Sequence, residues 1–164
     1  MDDVFTCSVG RNLLKVDFHS NWEHTRYYQA LFNATGVIAK RSFINKDWAL
    51  LLNWKHQFIM IPEEERICIR TLGRHISNGL VMLINVIDPH PVAEWQLERV
   101  AKSNNNITAK LYNSCEQSEQ FLCQQGFDTD VTVVEFQPEW LAATKEFNRV
   151  VSSLGLDQKA FIHG

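Results

Sequence analysis

The sequence has no excess of basic charge and little glycine, and each shortage argues against a class of function. Its 164 residues include 16 Lys and Arg against 19 Asp and Glu, which gives a net charge of −3 with His neutral. A general nucleic-acid binder needs a basic footprint, which this balance does not supply. Only seven glycines are present, and the sequence contains no P-loop and no dinucleotide-binding fingerprint. We therefore expect no nucleic-acid partner and no cofactor.

Long apolar runs and a secretory leader are also missing from the sequence. The longest apolar stretches, 48–52 and 80–84, are far shorter than the ~20 residues that a membrane-spanning helix needs. The first residues, Met1-Asp2-Asp3, are acidic where a secretory signal is basic. We expect no transmembrane segment and a cytoplasmic location.

Cysteine is scarce, and its spacing excludes the common zinc and redox motifs. The four cysteines are Cys7, Cys68, Cys115 and Cys123. In a chain without an export signal, they are predicted to be free and mostly buried thiols. Cys115 follows a predicted helix cap, a position at which the pKa of a thiol tends to fall. Asp17, His19 and His24 lie close in sequence, but a metal site needs converging ligands, so we interpret them as solvated polar residues and expect no metal site.

The residues that are present indicate one folded domain with alternating strands and helices. Hydrophobic residues make up 45% of the chain and aromatic residues 11%, a composition that excludes intrinsic disorder. Apolar periodicity and capping signals predict the elements. Strands are predicted at 5–9, 13–18, 49–52, 80–87, 107–113 and 131–136, and helices begin near Ser20, Pro62, Pro91, Ser114 and Pro138.

This order predicts an α/β fold, because strands that alternate with helices pair in parallel through right-handed crossovers. We expect a mostly parallel, mixed sheet of four to five strands with an N-terminal hairpin, covered by helices. A C-terminal strand and helix, residues 128–164, extend the main body of residues 1–127 and pack on it. Gly36 is a candidate for the end of the first long helix. In the 107–113 strand, Ile107, Ala109 and Leu111 are expected to face inward.

Several segments of the sequence resemble a known family, and the resemblance covers about three quarters of the chain. They are Ser20-Asn21-Trp22-Glu23, Ala49-Leu50-Leu51-Leu52-Asn53, Phe58-Ile59-Met60-Ile61 and Tyr112-Asn113-Ser114. With the element order from about residue 5 to 127, they resemble the STAS domain of anti-sigma-factor antagonists. The resemblance implies a non-catalytic regulatory module that works by contact with a protein partner. It places that contact on the loop 55–62 and the helix that follows.

The sequence departs from the family where switching members carry a regulated serine. The equivalent stretch is Met60-Ile61-Pro62-Glu63-Glu64, which has no hydroxyl group to phosphorylate. Asn53 stands where the family has an acidic residue at the end of a strand. The glutamates at 63–65 either mimic a phosphorylated state or simply interact with the positive end of the helix dipole, and we favour the dipole interpretation.

The predicted partner-binding residues follow from this placement. They are His56, Phe58, Met60, Glu63, Glu64 and Trp95. Trp95 is included because the inner face of its predicted helix is already filled by other side chains, and an exposed Trp is a typical interface anchor. The other four tryptophans are expected to pack in the core.

Three further possibilities remain open from the sequence. The first is a carrier of a small apolar ligand or lipid, since relatives of this architecture have been linked to lipids. The second is an enzyme of unknown chemistry near Asp88 and His90, which follow a predicted parallel strand at the end where ligands bind in α/β sheets; ordinary turn chemistry also accounts for both. The third is a homodimer formed through the C-terminal strand and helix, which would cover an open sheet edge.

Overall fold

The computed structural model describes residues 5–19, 25–54, 59–104 and 106–135. The elements are β1 (Phe5–Val9), β2 (Leu13–Phe18), α1 (Thr25–Ser42), β3 (Trp48–Asn53), α2 (Pro62–Ser77), β4 (Leu80–Val86), α3 (Pro91–Lys102), β5 (Thr108–Tyr112), α4 (Cys115–Gln124) and β6 (Thr132–Val133). The predicted helix start at Ser20 and the predicted helix at Pro138 lie outside the described residues. Trp22 and Trp140 lie outside them too.

The six described strands form one sheet in the order β5-β4-β3-β2-β1-β6. Strands β2 to β5 are parallel to one another, and β1 is antiparallel to both β2 and β6. The predicted α/β fold with an N-terminal hairpin is confirmed. The sheet is larger than the expected four to five strands, because β6 pairs with the outer edge of β1 and makes the sheet clearly mixed.

The sheet separates two apolar layers. Helices α1, α2 and α3 cover one face, where their apolar side chains pack on residues such as Leu14, Leu50 and Leu83. Helix α4 covers the opposite face, where Leu122 packs on Leu51 and neighbouring strand residues. Every residue of β3 is buried, as expected of a continuously apolar central strand with helices on both faces.

Two local expectations are wrong. Helix α1 continues through Gly36 to Ser42, because Ile38 and Ala39 beyond the glycine are buried and packing outweighs the ~1 kcal/mol cost of an interior glycine. Ile107, just before β5, packs against the core as expected, but Ala109 and Leu111 are exposed. Tyr112 packs against Phe121 of α4 with ring centroids 5.9 Å apart. The strand lies at the sheet edge, and α4 covers the face opposite to the one expected.

The chain after α4 returns to the hairpin turn between β1 and β2. The backbone N–H of Arg11 donates to the carboxylate of Asp128 at 3.0 Å, and the N–H of Asp128 donates to Oδ1 of Asn12 at 2.8 Å. A Cβ atom at Gly10 would lie 2.5 Å from the carbonyl oxygen of Asp128, so only glycine allows this close approach. These contacts hold the described part of the C-terminal extension on its own domain.

Candidate functional site

The segment 59–61 enters α2 and is held against α3 by a single side chain. The backbone N–H of Met60 donates to Oε1 of Gln96 at 2.9 Å, and Nε2 of Gln96 donates to the carbonyl of Met60 at 2.7 Å. The side chain of Met60 is buried, with its sulfur 3.6 Å from that of Cys68. Because extended backbone alternates its side chains, the neighbours Ile59 and Ile61 face outward, and they are 59% and 54% exposed.

Helix α3 places two more apolar side chains beside this segment. Val92 and Trp95 are 42% and 55% exposed. They lie three residues apart on one face of the helix, and Val92 lies one turn before Gln96. We call Ile59, Ile61, Val92 and Trp95 the apolar patch. Seven large hydrophobic side chains are exposed in the described part of the chain. Four of them form this patch, so the exposure is concentrated in one place.

Two acidic side chains beside the apolar patch, Glu63 and Glu65, are paired within the chain. Arg99 stacks over the ring of Trp95 at 4.2 Å from the centroid and donates two hydrogen bonds to the carboxylate of Glu65. These bonds raise the pKa of Arg99 above its usual value. Glu63 pairs with Arg66 at 2.5 Å. The charges of Glu63, Glu65 and their arginines are therefore balanced within the described part of the chain.

The glutamates at the start of α2 have structural partners. A carboxylate oxygen of Glu64 accepts the N–H of Ile61 at 2.9 Å and so caps the helix. Glu65 is 5% exposed and joins α2 to α3 through Arg99. Together with the Glu63 pair, these contacts support the dipole and capping interpretation over mimicry of a phosphorylated state.

The predicted partner-binding residues have different positions in the structure. His56 and Phe58 lie outside the described residues. Met60 and Glu64 are buried, Glu63 is exposed in its ion pair, and Trp95 is exposed as expected. Ile59 and Ile61 lie within the predicted contact loop 55–62 but were not among the predicted residues, and Val92, Gln96 and Arg99 were not predicted. One sequence pattern could have indicated this surface. Val92 and Trp95 have helical i, i+3 spacing, and Gln96 and Arg99 each follow one of them by four residues.

The residues considered for catalysis have other partners. Nδ1 of His90 accepts the N–H of Ala93 at 3.3 Å, so His90 serves as the N-cap of α3. Asp88 is exposed, and no hydrogen bond joins it to His90. Nδ2 of Asn53 donates to Asp17 at 2.7 Å, and the ring of His19 contacts the hydroxyl of Thr6 at 2.6 Å.

The four thiol groups are free, and burial works against activation of three of them. Cys7 and Cys68 are buried, Cys115 is half-buried and Cys123 is exposed. Burial raises the pKa of Cys7 to about 12 and raises that of Cys68 further. Burial also raises the pKa of Cys115, and the nearby Lys15 ammonium does not offset it. The fall expected for a thiol at a helix start does not occur.

One apolar cavity described in the core is too small for a lipid. It lies between β3, β4 and the helices that cover them, is lined by residues such as Leu50, Trp54 and Leu97, and measures about 30 Å³. A cavity of ~150 Å³ is the scale that holds a benzene molecule. The apolar-carrier possibility thus gains no support from this cavity.

No protein-family model, curated protein or solved structure matches the chain. The STAS resemblance therefore rests on the element order and the residues already quoted, and it stays a prediction. Within the described residues, no helix combines the length and apolar character needed to cross a bilayer.

Proposed function

We propose that the protein is a non-catalytic regulatory module that binds a protein partner through the apolar patch. The observation that supports this most directly is the concentration of exposed Ile59, Ile61, Val92 and Trp95 on two adjoining elements. Contiguous exposed apolar surface rimmed by polar side chains is typical of interaction sites.

The position of the patch also agrees with what the STAS resemblance implies. The family contacts its partners near the loop that follows the third strand and the helix after it. Ile59 and Ile61 lie in that stretch of this chain, directly before α2. Without a serine to phosphorylate, the partner contact depends on some other input.

The chemistry of the patch indicates an apolar partner surface with a socket for one aromatic ring. Trp95 is held in orientation by Arg99, which is itself fixed by Glu65. A rigid, amphipathic aromatic ring of this kind is the commonest sort of interface anchor. The ion pair of Glu65 with Arg99 helps to order the patch.

The test begins with a photo-crosslinking residue in the full chain, Trp95→p-benzoylphenylalanine, expressed in the cells of origin. The same residue at position 44 is the matched control, because Ile44 is 67% exposed and precedes β3, at the opposite end of the parallel strands. We expect a discrete protein adduct from position 95 and none from position 44. Adducts from both positions, or from neither, would contradict the proposal.

The partner found in this way is then measured against purified variants. We expect Ile61→Asp to weaken binding by at least about tenfold, whereas Ile44→Asp leaves the affinity unchanged. Ile61 is preferred to Met60, since Met60 is buried and a charge there would destabilise the core. Equal affinities for the two aspartate variants, with unchanged circular dichroism, would show that the patch is not the contact surface.

A further inference from the structure

A groove lies between the C-terminal halves of α1 and α2, away from the apolar patch. It measures about 360 Å³, which falls within the size range of small-molecule sites, roughly 300–1,000 Å³. Lys40 and Arg74 both line it, and no carboxylate does. In the described part of the chain neither cation forms an ion pair. We call this the helix groove, and its charge suits an anion.

His75 forms part of the groove wall and is buried, with 2% of its surface exposed. Its Nε2 lies 2.9 Å from the hydroxyl oxygen of Thr35. That hydroxyl gives its one hydrogen to the carbonyl of Phe32 at 3.1 Å. With that hydrogen placed on Phe32, Nε2 carries the ring proton and donates to Thr35, and we assign Nδ1 as the acceptor in this tautomer.

No described residue donates a hydrogen bond to Nδ1 of His75. A buried acceptor without a donor is costly, so such atoms usually have a partner. Burial and the charge of Arg74 lower the pKa of His75 to about 4, so the ring is neutral near neutral pH and Nδ1 keeps its lone pair. A ligand in the helix groove can satisfy this atom only with an O–H or N–H group.

Gly36 leaves the edge of this ring open to the groove. It lies within α1, where an alanine would favour the helix. A Cβ atom at this position would stand 4.0 Å from Cε1 of His75, the ring carbon between the two nitrogens. Glycine thus gives up helix stability at the place where a side chain would cover the imidazole.

We propose that the helix groove binds a small phosphate ester that carries a hydroxyl group. Its phosphate pairs with Lys40 and Arg74, and its hydroxyl donates to Nδ1 of His75. Two unpaired cations with no competing carboxylate suit a dianion better than a single carboxylate, and Lys40 and Arg74 are both exposed where the ester would enter. This site goes beyond the partner contact, since it lies at the other end of α2.

The test is an NMR titration of the full chain with sn-glycerol 3-phosphate near neutral pH. We expect amide shifts at Gly36 and Arg74 and a change in the ¹⁵N resonance of His75 Nδ1. Ethyl phosphate, which has the charge without the hydroxyl, should bind roughly 3- to 10-fold more weakly and leave the Nδ1 resonance in place. Glycerol, without the charge, should not bind.

Two matched pairs of variants complete the test. Lys40→Ala should weaken binding severalfold, whereas Arg41→Ala should not, although both residues lie in the last turn of α1 and only Lys40 lines the groove. Gly36→Ala should weaken binding, whereas Gly73→Ala, with nothing within 4 Å of its added Cβ, should not. Absence of shifts at millimolar ligand, equal binding of ethyl phosphate, or equal effects within either pair would overturn the proposal.

Discussion

At the scale of single residues, the side chain of Gln96 fixes the backbone of Met60. It is 6% exposed, and its amide meets both the N–H and the carbonyl of Met60. An amide is a side chain that can satisfy a backbone donor and a backbone acceptor at once. The outward position of Ile59 and Ile61 depends on this contact, because it fixes the residue between them.

We predict that Gln96→Leu destabilises the protein by roughly 2–6 kcal/mol, since two buried backbone groups lose their partners at about 1–3 kcal/mol each. Urea unfolding followed by fluorescence measures the effect. Gln120, exposed on α4, gives the control, and Gln120→Leu should change the free energy of unfolding by less than about 0.5 kcal/mol. A similar small loss for both variants would mean that Met60 is held by other contacts.

His75 gives the molecule a pH dependence whose sign follows from its environment. Its pKa falls from 6.5 to about 4 on folding, chiefly through burial, so between these values the unfolded chain binds a proton that the folded chain does not. The free energy of unfolding therefore decreases as the pH falls through this window, and the contribution is fully present above it.

We predict that His75 accounts for a loss of roughly 3 kcal/mol in the free energy of unfolding between pH 6.5 and 4. Urea titrations across this range test it by comparing the native chain with His75→Gln. The variant is less stable above the window, and its pH slope should be shallower. Parallel slopes would show that carboxylates, and not His75, govern the acid sensitivity.

At the scale of elements, α3 brings together contacts that the chain separates by about 35 residues. Its inner face packs Ala93 and Leu97 in the core, while the side toward α2 carries Trp95, Gln96 and Arg99. Glu65 and Met60 both reach α3 from the start of α2. The apolar patch therefore forms only where the start of α2 meets α3.

The hairpin and the chain after α4 form a second junction of elements. Gly10 lies against the backbone of Asp128, and β6 pairs with β1 through Ser8 and Val9. We predict that Gly10→Ala lowers the free energy of unfolding by about 1–3 kcal/mol, because the added Cβ has to displace backbone. In the Gly10→Ala variant, the backbone N–H of Val134, which donates to the backbone carbonyl of Cys7, should exchange its hydrogen faster.

The matched control for this junction is Gly73→Ala, in the interior of α2 with open space around the added Cβ. It should raise the free energy of unfolding by about 0.5–1 kcal/mol, because alanine favours a helix. A stabilising effect of Gly10→Ala would indicate that the turn and Asp128 can separate at little cost.

At the scale of the whole molecule, the two candidate sites lie at opposite ends of α2. The apolar patch borders its first turn, at the end where the parallel strands finish, and the helix groove borders its last turn, where β3 and β4 begin. A layered α/β domain separates these ends by the length of the helix, about 1.5 Å per residue. Each site can therefore be altered without direct contact with the other.

We predict that binding of the protein partner changes by less than about threefold when the salt concentration is raised about tenfold. The reason is that Glu63 and Glu65 are already paired with Arg66 and Arg99, so screening removes little attraction between the partners. Titration calorimetry at two ionic strengths measures this. A steep loss of affinity with salt would indicate a charged interface elsewhere on the surface.

Much of the fold could be predicted because it depends on local signals. The hairpin strands, the buried run of β3, and the proline starts of α2 and α3 each follow from patterns within a few residues. The predictions of a helix end at Gly36 and of an inward face on β5 were wrong for a common reason. Both depend on which element packs against them, and a local pattern does not carry that information.

Some features of the candidate site could also be predicted from local patterns, and others depend on packing. Exposure of Trp95 could be predicted, because the apolar stripe of its helix was complete without it. Burial of Met60 and Glu64 could not, since it follows from Gln96 and from the cap of α2. Ile59 and Ile61 are the side chains that are exposed in this segment, and the sequence pattern does not distinguish them from ordinary core residues.

By itself, the sequence determined the class of fold, the order of its elements and the character of its surface charge, because periodicity and capping act over one or two turns of chain. Only the tertiary structure decided which apolar residues remain in water and that the acceptor of His75 has no donor. Both facts depend on contacts between α1, α2 and α3, which are distant in sequence. Burial and hydrogen-bond satisfaction are properties of the packed molecule.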